Sequence, residues 1–277
     1  MRVSVASGCE QRFTADGTPL SYYDVGSGEV PVVLLHGLFG SPSNWLPIMH
    51  ELESHYRFLA LQLPIDAAGQ RRLGKFESID QLTDYVAAFF DELELDRAVI
   101  VGNSLGGQVG LDYYLRCPER VERLVLAGSA GLFERNLASG KRWRICRQFI
   151  REQASQIFYD PAIVCNELVD DIYDILSDRG HRKLIVQVAK STRDRYMLDD
   201  LARVDIPTLI VWGKDDTITP PFVAEQFGDH IRGSKRIFID ECGHAPPIEQ
   251  PAAFARALHD FLGDLASTGF VAPSQPR

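Results

Sequence analysis

The chain has 277 residues, of which 45% are hydrophobic and 24% are charged, and its net charge at pH 7 is −9. This composition is typical of a globular protein with one domain, or with one domain that carries an insertion. The negative charge disfavours nucleic acid as a partner, and the absence of an apolar run of about 18 residues predicts no membrane insertion.

The first half of the chain alternates apolar strands with amphipathic helices. A hairpin is predicted at residues 11–14 and 20–24, with its turn at Asp16 and Gly17. Continuous apolar runs predict buried strands at 30–35, 56–61, 98–101 and 123–127, and helical spacing predicts helices at 79–94 and 105–116. This order predicts an α/β fold with a mostly parallel, doubly wound sheet.

The second half begins with helical patterns alone, at 141–158, 162–176 and 181–191. Strands return at 207–212 and 235–240, with helices at 220–227 and 252–265. We therefore assign residues 1–132 and 204–277 to an α/β core. Residues 133–203 are assigned to a helical cap inserted after the sixth strand. Such a cap would cover the carboxyl edge of the sheet, where ligands bind in open α/β folds.

The sharpest motif is Gly102-Asn103-Ser104-Leu105-Gly106, which follows a predicted strand and opens a predicted helix. A turn this tight strains the backbone at the serine and projects its hydroxyl away from the sheet. The two glycines leave room for the close approach of strand and helix. Ser104 is therefore the candidate nucleophile.

A serine nucleophile needs a base, and the base needs a carboxylate to orient it. His244 is the histidine that lies just past a late strand, in Cys242-Gly243-His244-Ala245-Pro246. The loop after the strand at 207–212 offers Asp215 and Asp216. Either could serve, and we favour Asp216. The order Ser104, Asp216, His244 is the order expected for a hydrolase of this architecture.

Backbone N–H groups should stabilise the oxyanion of such a reaction. The loop His36-Gly37-Leu38-Phe39-Gly40 follows a buried strand and can turn one N–H toward the substrate. The N–H of Leu105, at the start of a helix, is the expected second donor. We interpret His36 as a side chain that shapes this loop. His36, Phe39 and Asn103 are also candidate substrate-binding residues.

These motifs resemble the α/β-hydrolase superfamily from about residue 11 to residue 263. Within it, GNSLGG, WGKDD and CGHAPPIEQP are most similar to meta-cleavage-product hydrolases and their esterase relatives. The resemblance implies Ser104 as nucleophile, His244 as base and Asp216 as its partner. It also implies an oxyanion hole from the backbone of Leu38 and Leu105, and it matches Asn103 to an asparagine of the carbon–carbon hydrolases.

The chain departs from that pattern at three places. Residues 62–66 read QLPID where many relatives carry Asp-Leu-Pro-Gly, and Ala245 replaces an aromatic residue after the histidine. Ile172 falls where the carbon–carbon hydrolases carry the arginine that grips a dienoate carboxylate. One of the arginines in the cationic cluster Lys190, Arg193 and Arg195 could take over that task. We therefore expect a carboxylic ester as substrate, with carbon–carbon bond hydrolysis as the runner-up.

Other functional classes have weaker support. The same triad could serve acyl transfer to an alcohol or amine, and a binding protein that has lost catalysis is disfavoured because every catalytic element is present. No metal spacing or phosphate loop occurs, so we expect no cofactor. The odd number of widely spaced cysteines predicts reduced thiols in the cytoplasm. The expected partner is a small or medium-sized acyl compound, and the sequence leaves the oligomeric state open.

Overall fold

A computed structural model describes residues 10–15, 18–27, 31–65, 77–135 and 145–263. Eight strands in these ranges form one sheet, ordered β1-β2-β4-β3-β5-β6-β7-β8. They are β1 Glu10–Ala15, β2 Thr18–Val25, β3 Pro31–Leu35, β4 Arg57–Leu61, β5 Ala98–Asn103, β6 Val121–Ala127, β7 Thr208–Gly213 and β8 Lys235–Ile239. β2 pairs antiparallel with β1 and β4, and the remaining pairs are parallel. The predicted mostly parallel sheet is confirmed.

Seven of the described helices overlap the predicted ones, and two more, Leu46–Leu52 and Pro246–Glu249, were not predicted from the sequence. The described helices are α1 Leu46–Leu52, α2 Ile79–Glu92, α3 Leu105–Arg116, α4 Arg147–Ala154, α5 Asn166–Ser177, α6 Arg179–Asp194, α7 Pro221–His230, α8 Pro246–Glu249 and α9 Pro251–Gly263. Short 3-10 helices lie at Pro42–Trp45, Pro118–Arg120, Pro161–Ile163 and Leu198–Arg203. None of the described helices combines the length and apolarity needed to cross a membrane.

Helices cover both faces of the sheet, as a doubly wound fold requires. Alternate residues of β3 point to opposite faces, so Val33 packs with α2 and α3 while Val32 packs with α1 and α9. Strands β5 and β7 are buried along their whole length, because each has a helical layer on both sides. The sheet is thus packed between two apolar layers. The loops after β5, β7 and β8 lie at its carboxyl edge.

The helical insertion lies between β6 and β7, which confirms its predicted place after the sixth strand. Helices α4 and α5 share a small apolar cluster that includes Ile150, Val169 and Ile172. Helix α6 instead packs Leu184 and Val188 into the main core. The insertion is therefore partly a separate layer and partly an extension of the core. The bounds 133 and 203 stay a prediction.

The first helix of the insertion is shorter than predicted. We expected a helix over residues 141–158, whereas α4 begins at Arg147 and ends at Ala154. Residues 155–160 form turns and bends, and this segment contacts the core, where Ile157 O accepts the N–H of His244 at 2.8 Å. Predictions at Asp16, Gly17 and Asp66, at residues 136–144, and beyond residue 263 fall outside the described residues.

Candidate active site

Ser104 lies at the sharp turn between β5 and α3. Its backbone has φ 54° and ψ −118°, a conformation that residues with a side chain rarely adopt. The N–H of Ser104 donates to Ala127 O at 3.0 Å, and the N–H of Ala130 donates to Ser104 O at 3.1 Å. Strand β6 and the loop after it therefore hold the strained turn in place.

The two glycines of the motif are required by close backbone contacts. A Cβ atom on Gly106 would lie 2.1 Å from Leu35 O, and one on Gly102 would lie 2.3 Å from Gly106 O. Strands β3 and β5 and helix α3 meet at this point with no room for a side chain. The two glycines that flank Ser104 in the motif therefore allow α3 to begin directly above β3.

His244 connects Ser104 to a carboxylate. Its Nε2 atom lies 2.9 Å from Ser104 Oγ, and its Nδ1 atom lies 2.9 Å from Asp216 Oδ2. These contacts fit a neutral imidazole that accepts from the serine hydroxyl and donates Nδ1–H to the aspartate. The structure thus brings together the three residues predicted as a triad.

Asp216 is held by four hydrogen bonds. Oδ1 accepts the backbone N–H groups of Ile218 and Thr219 at 2.8 and 2.9 Å. Oδ2 accepts the Thr219 hydroxyl at 2.8 Å in addition to His244. Asp215 is exposed, and its backbone N–H donates to Cys242 O at 2.9 Å. Of the two aspartates, Asp216 is therefore the one placed to orient the histidine.

The charges around His244 favour its protonated form. Burial lowers the pKa of His244, but the charge and the hydrogen bond of Asp216, together with nearby carboxylates, offset this effect, and the pKa lies above its ordinary value. The charges of Glu134 and Glu249 raise the pKa further. The site can therefore stabilise the imidazolium that forms when the histidine takes a proton from Ser104.

The loop after β3 lies beside the nucleophile. A Cβ on Gly37 would lie 3.3 Å from Ser104 Cβ, and the loop closes through Gly40 N–H donating to Gly37 O at 3.0 Å. Leu38 lies in this turn, and Leu105 is the first residue of α3, where backbone N–H groups have no partner within the helix. Neither of these N–H groups donates to a backbone carbonyl among the described residues.

His36 shapes this loop through both ring nitrogens. Nδ1 donates to Gly37 O at 2.8 Å, and Nε2 accepts the Leu63 N–H at 3.0 Å. Burial lowers the pKa of His36 to about 4, so the ring is neutral at pH 7. Both nitrogens are engaged with backbone, which supports the loop-shaping interpretation over substrate binding.

The other two candidate substrate-binding residues, Asn103 and Phe39, differ in burial and in hydrogen bonding. Asn103 is buried, and its Nδ2 donates to Ala127 O at 2.9 Å and to His244 O at 3.2 Å. The asparagine therefore ties the nucleophile strand to the histidine loop, and its amide nitrogen is already engaged. Phe39 is 37% exposed and is free to touch a ligand.

Two residues that position the triad, Thr219 and Glu249, were not predicted from the sequence. Thr219 is fully buried and supplies both its N–H and its hydroxyl to Asp216. Glu249 accepts the N–H groups of Gly243 at 2.9 Å and Ala245 at 3.0 Å, one on each side of His244. Glu249 lies in the motif CGHAPPIEQP, five residues after the histidine, and this position could have drawn attention to it. Its contacts could not be predicted, because they depend on how α8 folds back toward the histidine loop.

The turn that follows α4 is bonded directly to the loops of the triad. Glu249 also accepts the N–H of Tyr159 at 2.7 Å, and the Thr217 hydroxyl donates to Gln156 O at 2.7 Å. With the bond from His244 N–H to Ile157 O, the segment 156–159 makes three such contacts. The positions of this segment and of His244 are therefore coupled.

The cations considered as a carboxylate clamp are engaged elsewhere or exposed. Arg195 forms ion pairs with the buried Asp112 at 3.1 Å and with Asp200 at 2.7 Å. Lys190 and Arg193 are exposed on α6. Ile172 packs into the apolar cluster of α4 and α5. The position of Ile172 is thus occupied by an apolar side chain, and the described cations of this cluster lie elsewhere.

Burial makes two of the described thiols poor nucleophiles. Burial raises the pKa of Cys242 far above its ordinary value, so this cysteine beside the histidine loop stays protonated at pH 7. Burial also raises the pKa of Cys117. Among the residues that the structure describes, no group of three or more histidine, cysteine, aspartate or glutamate side chains could hold a metal ion.

Comparison with known proteins gives one family. The model of the alpha/beta hydrolase family matches residues 32–257. Two curated relatives cover nearly the whole chain. The 2-hydroxy-6-oxo-2,4-heptadienoate hydrolase of Pseudomonas putida F1 is 32% identical over 90% of this chain and 94% of its own. The 2-hydroxy-6-oxo-6-(2'-aminophenyl)hexa-2,4-dienoic acid hydrolase of Metapseudomonas resinovorans is 31% identical over 91% and 90%.

A solved structure agrees with these relatives. The meta-cleavage product hydrolase of Pseudomonas fluorescens IP01 superimposes with a TM-score of 0.80 at 26% identity, over 93% of this chain and 98% of its own. The similarity therefore extends through the inserted helices as well as the sheet.

Exchange of the two aspartates for asparagine should separate their roles. We expect Asp216→Asn to lower kcat by about a thousandfold or more, because asparagine no longer selects the Nδ1–H tautomer of His244. Asp215→Asn should change kcat less than about threefold, since that side chain is exposed. Steady-state kinetics of both variants measures the difference, and the reverse ranking would show that the wrong aspartate has been chosen.

Glu249→Gln should weaken the support of His244. An amide cannot accept all three N–H groups, so we expect kcat to fall about tenfold with KM nearly unchanged. Loss of the negative charge should also lower the pKa of His244. Because the base must be neutral, the acidic limb of kcat/KM then moves to lower pH.

The matched control for this variant is Asp240→Asn, an exposed carboxylate at the start of the histidine loop that pairs with Lys214. It should leave the pH profile of kcat/KM in place. An unshifted acidic limb in Glu249→Gln would contradict the electrostatic part of this account.

Proposed function

The chain belongs to the alpha/beta hydrolase family, and we propose that it is a serine hydrolase that cleaves a small or medium-sized carboxylic ester. The observation that carries this proposal is the pair of 2.9 Å contacts from His244 to Ser104 Oγ and to Asp216 Oδ2. A serine hydroxyl becomes a useful nucleophile when an oriented base can take its proton.

In the first step, Ser104 Oγ attacks the ester carbonyl while its proton passes to His244 Nε2. The carbonyl π electrons move onto oxygen, and the tetrahedral oxyanion is stabilised by the N–H groups of Leu38 and Leu105. When the carbonyl re-forms, the bond to the alkoxide breaks, and the imidazolium gives that oxygen its proton. An alcohol leaves and an acyl group stays on Ser104.

Water completes the cycle by the same route. His244 takes a proton from water as its oxygen attacks the acyl carbon, and the imidazolium then returns a proton to Ser104 Oγ as the acid leaves. Asp216 stays ionised throughout and stabilises the imidazolium. Each step uses groups of this chain and water, so the proposal includes no cofactor.

The preference for an ester depends on the site around Ile172. A dienoate carries a carboxylate, and a buried carboxylate without a partner is costly, so a dienoate hydrolase needs a cation in its pocket. Ile172 lies in an apolar cluster and Arg195 is engaged with Asp112 and Asp200. Neither residue offers the required charge.

Carbon–carbon bond hydrolysis is the second candidate, and the relatives favour it. The names of the two relatives at 31% and 32% identity denote hydrolases of dienoate substrates. Both names denote 6-oxo compounds, which carry a carbonyl that a serine nucleophile could attack, so the geometry of the triad alone does not separate the two candidates.

We also propose that the protein is located in the cytoplasm. The odd number of widely spaced cysteines supports this location, because it favours reduced thiols.

A fluorophosphonate probe tests the nucleophile. The native protein should be labelled, and Ser104→Ala should not, because the probe reacts with an activated serine. Gel fluorescence after a timed incubation measures the label. The exposed Ser43→Ala is the control and should label at the native rate. Equal labelling of the Ser104→Ala variant would contradict the proposed role of Ser104.

A substrate panel tests the bond that is cleaved. We expect p-nitrophenyl butyrate to be turned over with a kcat/KM at least about a hundredfold above that of a phenyl hexadienoate, since one buried unpaired carboxylate costs several kcal/mol. Absorbance assays follow both reactions. Fast cleavage of the dienoate with negligible ester turnover would reverse the order of the two candidates.

A further inference from the structure

Glu134 is a carboxylate of the site that the triad does not use. The short stretch that carries it is fixed at both ends. Gly131 O accepts the N–H of Met197 at 2.9 Å, and the N–H of Arg135 donates to Ile218 O at 2.7 Å. Ile218 belongs to the loop that also holds Asp216, so Glu134 lies between that loop and the end of the inserted helices.

The carboxylate of Glu134 contacts helix α6. Its Oε2 lies 3.3 Å from the Thr192 hydroxyl, which also donates to Ala189 O at 2.9 Å, and Thr192 O accepts Gln108 Nε2 at 3.0 Å. Gln108 is on the first turns of α3, the helix that begins just after Ser104. The Glu134 side chain is half-buried and is thus anchored next to the helix of the nucleophile.

The charge of Glu134 reaches the reacting groups. Burial raises the pKa of the Glu134 carboxyl above its ordinary value, and the charges of His244 and Arg193 offset only part of this rise. In turn, the Glu134 charge raises the pKa of His244. Together with Asp216 and Glu249, three carboxylates act on His244, whereas Arg193, the cation that acts on Glu134, is exposed to solvent.

We propose that Glu134 selects substrates by charge: it disfavours an acyl group that carries a free carboxylate and favours a neutral or positively charged one. This inference rests on the proposed function, because it describes the substrate of the same serine site. The residue after Glu134 is bonded to Ile218 O, and the N–H of Ile218 binds Asp216, so Glu134 stands beside the carboxylate that orients His244. In a partly dry site like charges repel more strongly than in water, and opposite charges attract more strongly. The acyl chain of a substrate must pass close to His244, and there it meets the field of Glu134.

A preference against acyl groups with a free carboxylate distinguishes this chain from the two relatives whose names denote dienoate hydrolases. Those substrates present a carboxylate, which Glu134 would repel and which Ile172 cannot neutralise. A quaternary ammonium or another cationic group on the acyl chain is instead the chemistry that Glu134 can bind.

Three p-nitrophenyl esters of equal chain length test the proposal: the hexanoate, the half-ester of adipate, and the 6-trimethylammoniohexanoate. We expect the native enzyme to discriminate against the adipate half-ester. In Glu134→Gln, kcat/KM for the adipate half-ester should rise relative to hexanoate by about tenfold or more, and the ratio for the cationic ester should fall. Arg193→Gln should move both ratios in the opposite direction, by about two- to threefold.

The matched control is Asp171→Asn, which removes an exposed carboxylate from helix α5 of the inserted region. It should leave both ratios within about twofold, because solvent screens an exposed charge. Equal changes for all three esters in Glu134→Gln would mean that the residue acts on folding or on the triad, and this would overturn the inference.

A binding measurement separates this inference from the proposed ester activity. In Ser104→Ala, NMR titration gives Kd for phenylacetate, phenylacetamide and phenethylammonium without turnover. Adding Glu134→Gln should tighten phenylacetate about fivefold or more, weaken phenethylammonium, and leave phenylacetamide within about twofold. This pattern without ester turnover would contradict only the ester proposal. Ester turnover with unchanged charge ratios, or three unchanged Kd values, would contradict the role of Glu134.

Discussion

The backbone conformation of Ser104 is the constraint on which the rest of the site depends. A residue with a side chain at φ 54° and ψ −118° costs on the order of 1–3 kcal/mol, and it persists only when its surroundings hold it. Here the bonds to Ala127 and Ala130 hold it, and the contact between Gly106 and Leu35 fixes where α3 begins. The strained turn in return places the hydroxyl within 2.9 Å of His244.

The second level of organisation is the coupling between the inserted helices and the histidine. The carboxylate of Glu249 accepts hydrogen bonds from the N–H groups of Gly243, Ala245 and Tyr159. It therefore links the histidine loop to the insertion. Segment 156–159 therefore belongs to the machinery that positions His244, although it lies far from the histidine along the chain. A change in the inserted helices can alter catalysis without touching a catalytic side chain.

Much of this arrangement could be predicted because strong local signals coincide with it. Continuous apolar runs indicated the central strands, and the glycines flanking Ser104 indicated the sharp turn, since the contacts at Gly102 and Gly106 exclude any side chain. The early end of α4 and the contacts of Glu134 and Glu249 depend on which distant backbone groups the fold brings together. Such long-range contacts leave no local pattern in the sequence. A glutamate in particular gives no sign of them, because most glutamates are solvated surface residues.

The most direct test of the serine mechanism is to trap its covalent intermediate. Acid quenching during turnover of p-nitrophenyl butyrate, followed by tryptic digestion and mass spectrometry, should find the butyryl group on the peptide of residues 98–116, at Ser104. Release of p-nitrophenol with no acyl group on this peptide, or with the group on another residue, would contradict the account.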